Sequence, residues 1–290
     1  MQQMMTIGAL LAWAIPLLAA VGIDTPRLDA ELLLAHVCGK SRGWVWAHAD
    51  TVLSTEETEH FRALCARRAQ REPLPYLLGE WEFYGRSFFV SPAVLIPRPE
   101  TELLVETVLA WARSHSAARI ADIGAGSGAI AVTLAAESPE LHVYAVELSS
   151  AALALAVRNA ARHEVTARIT FLHGDLLQPL HNAGALPFDA IVANLPYIPE
   201  GDYAGLMPEV RDFEPATALR GGADGLDLIR RLIADSPAAL RRDGLLALEI
   251  GIGQSETVRQ LLAAAHWRHI SVIVDYAGIP RHLVAERPQD

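Results

Sequence analysis

Four short stretches carry residue types able to do chemistry together, and each stands where an apolar, strand-like run ends. The first is Asp122-Ile123-Gly124-Ala125-Gly126-Ser127-Gly128-Ala129. Glycines there let the backbone turn sharply and meet a ligand with no Cβ in the way. The second is Glu147, at the end of the next such run, a carboxylate able to accept both hydroxyls of a ribose. The third is Gly174-Asp175-Leu176, where the acid can accept from an adenine amino group and the leucine can pack on the ring. The fourth is Asn194-Leu195-Pro196-Tyr197.

The glycine run alone admits two ligands. Gly124, Gly126 and Ala129 also satisfy the dinucleotide fingerprint, which allows alanine at its third position. Electrostatics separates the two readings. A pyrophosphate is repelled by the Asp122 carboxylate beside the loop, whereas a sulfonium or ammonium ligand such as S-adenosylmethionine is attracted by it. The expected cofactor-binding set is therefore Asp122, Gly124, Ala125, Gly126, Ser127, Gly128, Glu147, Asp175 and Leu176, with Asn194 shared.

Asn194 to Tyr197 is the chemically specific element, expected to be catalytic. An amide or aromatic amino nitrogen is a poor nucleophile because its lone pair is delocalised. A site can correct this by accepting both N–H bonds and aligning the lone pair with a methyl donor. The Asn194 side-chain oxygen and the Leu195 carbonyl are suited to accept, Pro196 punctuates the turn, and Tyr197 can stack on the planar group.

Other patterns do not reach a site. Gly39-Lys40-Ser41 resembles the tail of a phosphate loop, but Leu34 stands where its first glycine belongs. His266 and His269 share helical spacing with no carboxylate to complete a metal set, so no metal is expected. No Ser-His-Asp arrangement follows from spacing.

The elements that must position these stretches alternate. From Glu100 onward, strand-like runs at 119–123, 142–147, 168–173, 188–193, 245–250, 270–275 and 281–284 separate helical stretches near 100–114, 128–137, 149–162, 225–241 and 254–266. Such alternation predicts an α/β fold, an open, doubly wound, mostly parallel sheet of seven strands with ligands at the strands' carboxyl ends. Residues 1–75 read as a helical domain instead, and 76–98 as a linker with a short hairpin around Gly85-Arg86, leaving 99–290 for the sheet. The uncharged start has no basic n-region, and the run Ile7–Ile23 contains Pro16, so a buried bundle helix is expected rather than a membrane span. Composition agrees with a reducing, cytoplasmic setting: Cys38 and Cys65 are the two cysteines among 290 residues. A net charge of −10, from 34 acids against 24 bases, argues against stable nucleic-acid binding.

Read together, these motifs resemble the release factor glutamine methyltransferases, the PrmC/HemK family. The resemblance spans nearly the whole chain. It is carried by Pro73, Tyr76 and Gly79, by Leu95-Ile96-Pro97-Arg98-Pro99-Glu100-Thr101-Glu102, by the glycine loop and by Asn194 to Ile198. Further on it includes Glu214-Pro215 with Ala218-Leu219, Gly222 to Leu226, and Glu249-Ile250-Gly251 with Gln254. It implies a helical N-terminal domain that recognises the partner and a class I methyltransferase domain with a Rossmann-like sheet. The implied activity is S-adenosylmethionine-dependent N5-methylation of the glutamine in the Gly-Gly-Gln motif of peptide chain release factors. Two positions depart from the family pattern: Leu195 replaces the usual proline, and Glu147 the usual aspartate. Asn-Leu-Pro-Tyr also resembles the motif of ribosomal RNA adenine dimethyltransferases. A ribosomal-protein glutamine, adenine in nucleic acid, and a non-catalytic cofactor-binding role therefore stand as alternatives at this point.

Overall fold

The structure, a computed structural model, describes residues 5–116 and 119–288. The chain divides into two compact units, Met1–Glu80 with Met207–Phe213, and Trp81–Leu206 with Glu214–Asp290. Residues 207–213, which the sequence division leaves inside the sheet-bearing portion, thus group with the helices.

The first unit holds α1 (Ile7–Ala20), α2 (Pro26–Cys38), α3 (Arg42–Ala47), α4 (Thr55–Ala69) and α5 (Leu74–Leu78). In α1 the buried residues Ile7, Leu10, Ala14 and Leu18 follow helical spacing and form one apolar face. Each large side chain buried this way stabilises by ~1.5–3 kcal/mol. Among the described residues no helix is long and apolar enough to cross a membrane. Ser54 and Glu57 start α4 with a reciprocal capping box, which satisfies two free backbone N–H groups. Charge is also buried here. Arg68 donates to Asp29 at 2.7 Å and to Glu209 at 3.1 Å, and Arg71 donates to the other Glu209 oxygen at 2.7 Å. These pairs fasten residues 207–213 to α2 and α4; removing one partner of such a buried pair typically costs ~3–5 kcal/mol.

The second unit opens with a hairpin, β1 (Glu80–Phe83) and β2 (Arg86–Phe89), turning at Tyr84-Gly85. It continues with α6 (Pro99–His115), β3 (Arg119–Ile123), α7 (Ala129–Glu137), β4 (His142–Glu147), α8 (Ser150–Arg162), β5 (Ile169–His173), α9 (Gln178–Asn182) and β6 (Phe188–Ala193). After α10 (Pro208–Phe213), which belongs to the first unit, come α11 (Asp227–Ala239), β7 (Leu240–Glu249), α12 (Ser255–Ala264), β8 (Arg268–Val274) and β9 (Pro280–Glu286). The sheet order is β5-β4-β3-β6-β7-β9-β8, parallel as far as β7, with β9 antiparallel to both its neighbours.

Both sheet faces are covered. Ile120, Val143, Ala145, Ala190 and Val192 pack in one core with α6 and α7. Their alternates Ala121, Ile123, Val146, Ile191 and Ala193 pack in a second core with α11 and α12. Burial on both faces explains why β6 is apolar nearly throughout rather than alternating. Strand order reverses at β3: the chain runs outward through β4 and β5, then returns to β6 on the other side. That reversal leaves a crevice between the carboxyl ends of β3 and β6, the usual ligand position in such sheets.

Some expectations shift. β7 begins at Leu240 rather than 245, because Leu240 pairs with Phe188 ahead of a register shift. Neither α9 nor α10 was expected; with five and six residues they are too short for a periodic signal. His266 and His269 do not share a helix, since α12 ends at Ala264 and His269 lies in β8. Among the described residues no group of three or more His, Cys, Asp or Glu is placed to hold a metal ion.

Candidate active site

The glycine loop leaves β3 at Ile123 and is held by β4 and by α8, whose Asn159 Nδ2 donates to Ser127 O at 2.8 Å. Gly124 and Ala125 donate N–H bonds to the Val146 carbonyl at 2.9 and 3.0 Å. Gly126 donates to Glu147 Oε2 at 2.8 Å, and the other Glu147 oxygen accepts from Ser149 N at 2.8 Å. Glu147 thus shapes the loop as well as facing the crevice, and each of its oxygens keeps a further lone pair for a ligand hydroxyl. Glycine is required at 124 and 128. Gly124 has φ +79°, and a Cβ there would stand 3.1 Å from Leu195 Cδ2; at Gly128, φ +80°, it would stand 3.1 Å from Ala156 Cβ.

A cleft of about 400 Å³ opens at the reversal point. Gly124, Ala125, Gly126, Ser127 and Glu147 line it on the β3–β4 side, and Asp175 and Leu176 beyond them. Asn194, Leu195 and Pro196 line it after β6. Three expected site residues do not line it: Asp122, Gly128 and Tyr197.

Asp122 is fully buried. Its Oδ2 accepts from Ala131 N at 3.0 Å in the first turn of α7, while Oδ1 has no partner. Burial pushes its carboxyl up to about 7, with the nearby Glu147 charge adding to the shift and the Ala131 hydrogen bond opposing it. Asp122 thus anchors the first turn of α7 from behind the loop. Gly128 serves the close approach to Ala156 on α8. Tyr197 packs against the second core, with Cδ2 3.1 Å from where a Gly251 Cβ would stand; burial pushes its phenol up to about 12.

Asp175 follows β5 and gives one oxygen to an ion pair with Arg231 at 2.6 Å. Leu176 has φ +45°, uncommon for a non-glycine residue. Gly174 precedes them because a Cβ there would lie 2.5 Å from Pro179 Cγ.

The loop after β6 is held from farther away. Asn194 Nδ2 donates to Thr101 Oγ1 at 3.2 Å, and that hydroxyl donates to Glu249 Oε2 at 2.7 Å. Ile198 N donates to Leu219 O, and Gly221 N to Ile198 O, both at 2.9 Å. Gln254 Nε2 donates to Tyr197 O at 2.8 Å, while its Oε1 accepts from Gly251 N at 2.8 Å. The Gly221–Gly225 segment lies against this loop: a Cβ on Gly221 would stand 2.6 Å from Pro196 O, and one on Gly225 2.1 Å from Tyr197 O. At the cleft rim, Glu214 accepts from Ile96 N at 3.2 Å and from Arg98. Burial raises the Glu214 carboxyl, against the lowering effect of Arg98.

Thr101, Glu249 and Gln254 had no role on sequence grounds. They fall inside the segments that carry the family resemblance, which was their one signal.

The sheet order, the glycine loop and the Asn194 loop at the reversal point define a class I methyltransferase. Residues 99–205 match the methyltransferase small domain, and residues 9–79 the PrmC N-terminal domain. The chain belongs to the release factor glutamine methyltransferase family. It is 45% identical over 276 residues to the Geobacter sulfurreducens protein of that name, covering 95% of each chain. To the Moorella thermoacetica protein of the same name it is 44% identical over 287 residues, covering 99% of this chain and all of that one. Among solved structures, the hMettl16 catalytic domain in complex with an RNA hairpin shares the fold, with a TM-score of 0.56 at 19% identity, covering 78% of this chain and 83% of that one.

Proposed function

We propose that this chain transfers a methyl group from S-adenosylmethionine to the side-chain nitrogen of a glutamine, that of the Gly-Gly-Gln motif in peptide chain release factors. The observation that carries the reading is the Asn194 carboxamide at the reversal point: its nitrogen end donates to Thr101, which turns its oxygen to accept in a cleft walled by the glycine loop. The names of relatives alike over nearly the full chain supply the acceptor.

The cleft fits the donor. Its volume lies in the range of small-molecule pockets, ~300–1,000 Å³. The loop presents backbone without Cβ atoms at Gly124 and Gly126, and Glu147 retains acceptor capacity for ribose hydroxyls. In this assignment Gly124 to Ser127 hold the amino-acid end, Glu147 the ribose, and Asp175 with Leu176 the adenine. When bound, S-adenosylmethionine supplies a methyl carbon made electrophilic by its sulfonium. Asn194 Oδ1 and the Leu195 carbonyl accept the two N–H bonds of the glutamine amide and aim its nitrogen. Positioning of this kind supplies up to ~7–11 kcal/mol of a barrier. No strong base is needed beforehand, since the amide loses its proton once its nitrogen bears the methyl.

The helical unit we assign to recognition of the intact factor, because a small cleft does not supply the ~1,200–2,000 Å² of a standard protein interface. The setting is cytoplasmic, and stable nucleic-acid binding is not part of the reading. Tritiated methyl transfer to release factor, ribosomal protein and RNA, assayed side by side, tests the acceptor. Transfer to release factor alone is expected; preferential transfer to either of the others would replace it, and donor binding without any turnover would leave a non-catalytic binding protein. A KM for intact factor no lower than for a short Gly-Gly-Gln peptide would remove the recognition role from the helices.

A further inference from the structure

We infer that Thr101 and Glu249 are positioning residues that decide which end of the Asn194 carboxamide faces the acceptor. The inference rests on the methyl-transfer reading above. Asn194 assists an attacking amide only with its oxygen toward the cleft, because the acceptor brings two N–H groups that need acceptors. The two ends of a carboxamide have nearly the same shape, so packing does not choose between them. Hydrogen-bond polarity does.

The Thr101 hydroxyl has one proton, and its oxygen lies 2.7 Å from Glu249 Oε2. Glu249 is 2% exposed, and its Oε2 accepts from the Thr101 hydroxyl. The Thr101 proton is therefore committed, and toward Asn194 its oxygen can only accept, which it does from Nδ2 at 3.2 Å. Turned over, Asn194 would set its carbonyl oxygen against the Thr101 lone pairs. The chain from Asn194 through Thr101 to Glu249 thus donates in one direction, away from the cleft, and leaves Oδ1 free. It joins three elements: the loop after β6, the first turn of α6 and the end of β7. On β9 the fully buried His282 brings Nε2 to 3.7 Å from the same Glu249 oxygen, beyond hydrogen-bond distance.

This polarity makes an isosteric change informative. In Glu249→Gln the new NH2 can donate to Thr101, whose proton is then free to point at Asn194 and stabilise the flipped amide. Thr101→Val removes the polarity altogether, and Thr101→Ser keeps it.

The test uses the full chain with saturating S-adenosylmethionine and a Gly-Gly-Gln peptide as acceptor. Thr101→Val and Glu249→Gln are expected to lower kcat about tenfold, the scale of one lost hydrogen bond, with donor Kd within about twofold. Thr101→Ser should stay within about threefold of wild type. A second readout does not depend on turnover: the side-chain amide protons of Asn194 in 15N NMR, assigned by their loss in Asn194→Ala. One of them should be shifted and protected from exchange in wild type and in Thr101→Ser, and not in Thr101→Val. Unchanged kcat in Thr101→Val, equal losses in Thr101→Ser and Thr101→Val, or amide protons indifferent to Thr101→Val would overturn the inference. If Thr101→Val fails to fold, Glu249→Gln decides by the same kcat and Kd criteria. If wild type methylates no glutamine, the proposed function falls, while the NMR comparison still decides the orientation.

Discussion

The two walls of the cleft are built on opposite plans. The glycine-loop wall is secured by its immediate neighbour: Val146 and Glu147 of β4 take the N–H groups of Gly124, Ala125 and Gly126. The Asn194 wall is secured from across the domain. Thr101 is 93 residues away, Gln254 is 57, and the Gly221–Gly225 segment presses on the backbone of Pro196 and Tyr197. One wall draws its support from β4 and α8, elements that follow it closely in the chain; the other is assembled only when β7, α6 and the 219–225 segment have all docked. Donor binding should therefore tolerate lesions that abolish transfer, and the converse should be rare.

The sharpest way to separate the walls is Asn194→Ala. Transfer should fall by about 10²–10³-fold, the scale for removing one preorganised group at a reacting centre, with donor Kd within a few-fold. Residual activity within tenfold of wild type would take Asn194 out of the reaction. Gly225→Ala attacks the same wall from behind, because its Cβ would fall 2.1 Å from Tyr197 O at φ +81°. We expect more than a tenfold loss of kcat and a lower melting temperature, but a smaller change in donor binding by calorimetry. Equal losses in both would mean that the two walls are not independent.

Glu147→Gln tests the other wall. Its NH2 must face either Gly126 N–H or Ser149 N–H, so one of the two loop bonds becomes a donor–donor contact. Donor Kd should rise about tenfold, the scale of one such bond, with kcat at saturation little changed; a fall in kcat alone would contradict the division. Leu195→Pro probes the seam where the walls meet, since the Leu195 side chain packs on Gly124. The backbone carbonyl survives the change, so transfer should stay within a few-fold of wild type, and complete loss would show that the loop conformation depends on the leucine itself.

The smallest effect is on stability. The Asp122 carboxyl is raised in the folded protein to about 7 by burial. Its native state thus holds a proton that the unfolded chain releases near pH 4, and the stability it contributes is lost as pH rises from there through about 7. Asp122→Asn, which stays neutral, should gain in melting temperature relative to wild type between pH 5 and pH 8. A constant difference across that range would mean that the carboxyl is ionised throughout.

The same contrast separates what was legible in the sequence from what was not. Sequence alone determined the alternation of elements, the two-sided burial of the sheet and the four stretches at the carboxyl ends of β3, β4, β5 and β6. These depend on periodicity, on glycine's freedom at positive φ and on contacts between successive elements, all written locally. It did not reveal what holds Asp122 and Tyr197 in place. Spacing puts a carboxylate beside a glycine loop, yet only packing decides that Asp122 turns back to Ala131 and that the Tyr197 ring packs against the second core. Nor could it give Thr101, Glu249 and Gln254 their parts. Hydrogen bonds between residues 57 to 148 positions apart leave no periodic mark on the chain. They come into being only when the sheet order brings the end of β7 and the start of α6 beside the loop after β6. The tertiary structure thus decided which oxygen of the Asn194 wall is left to accept.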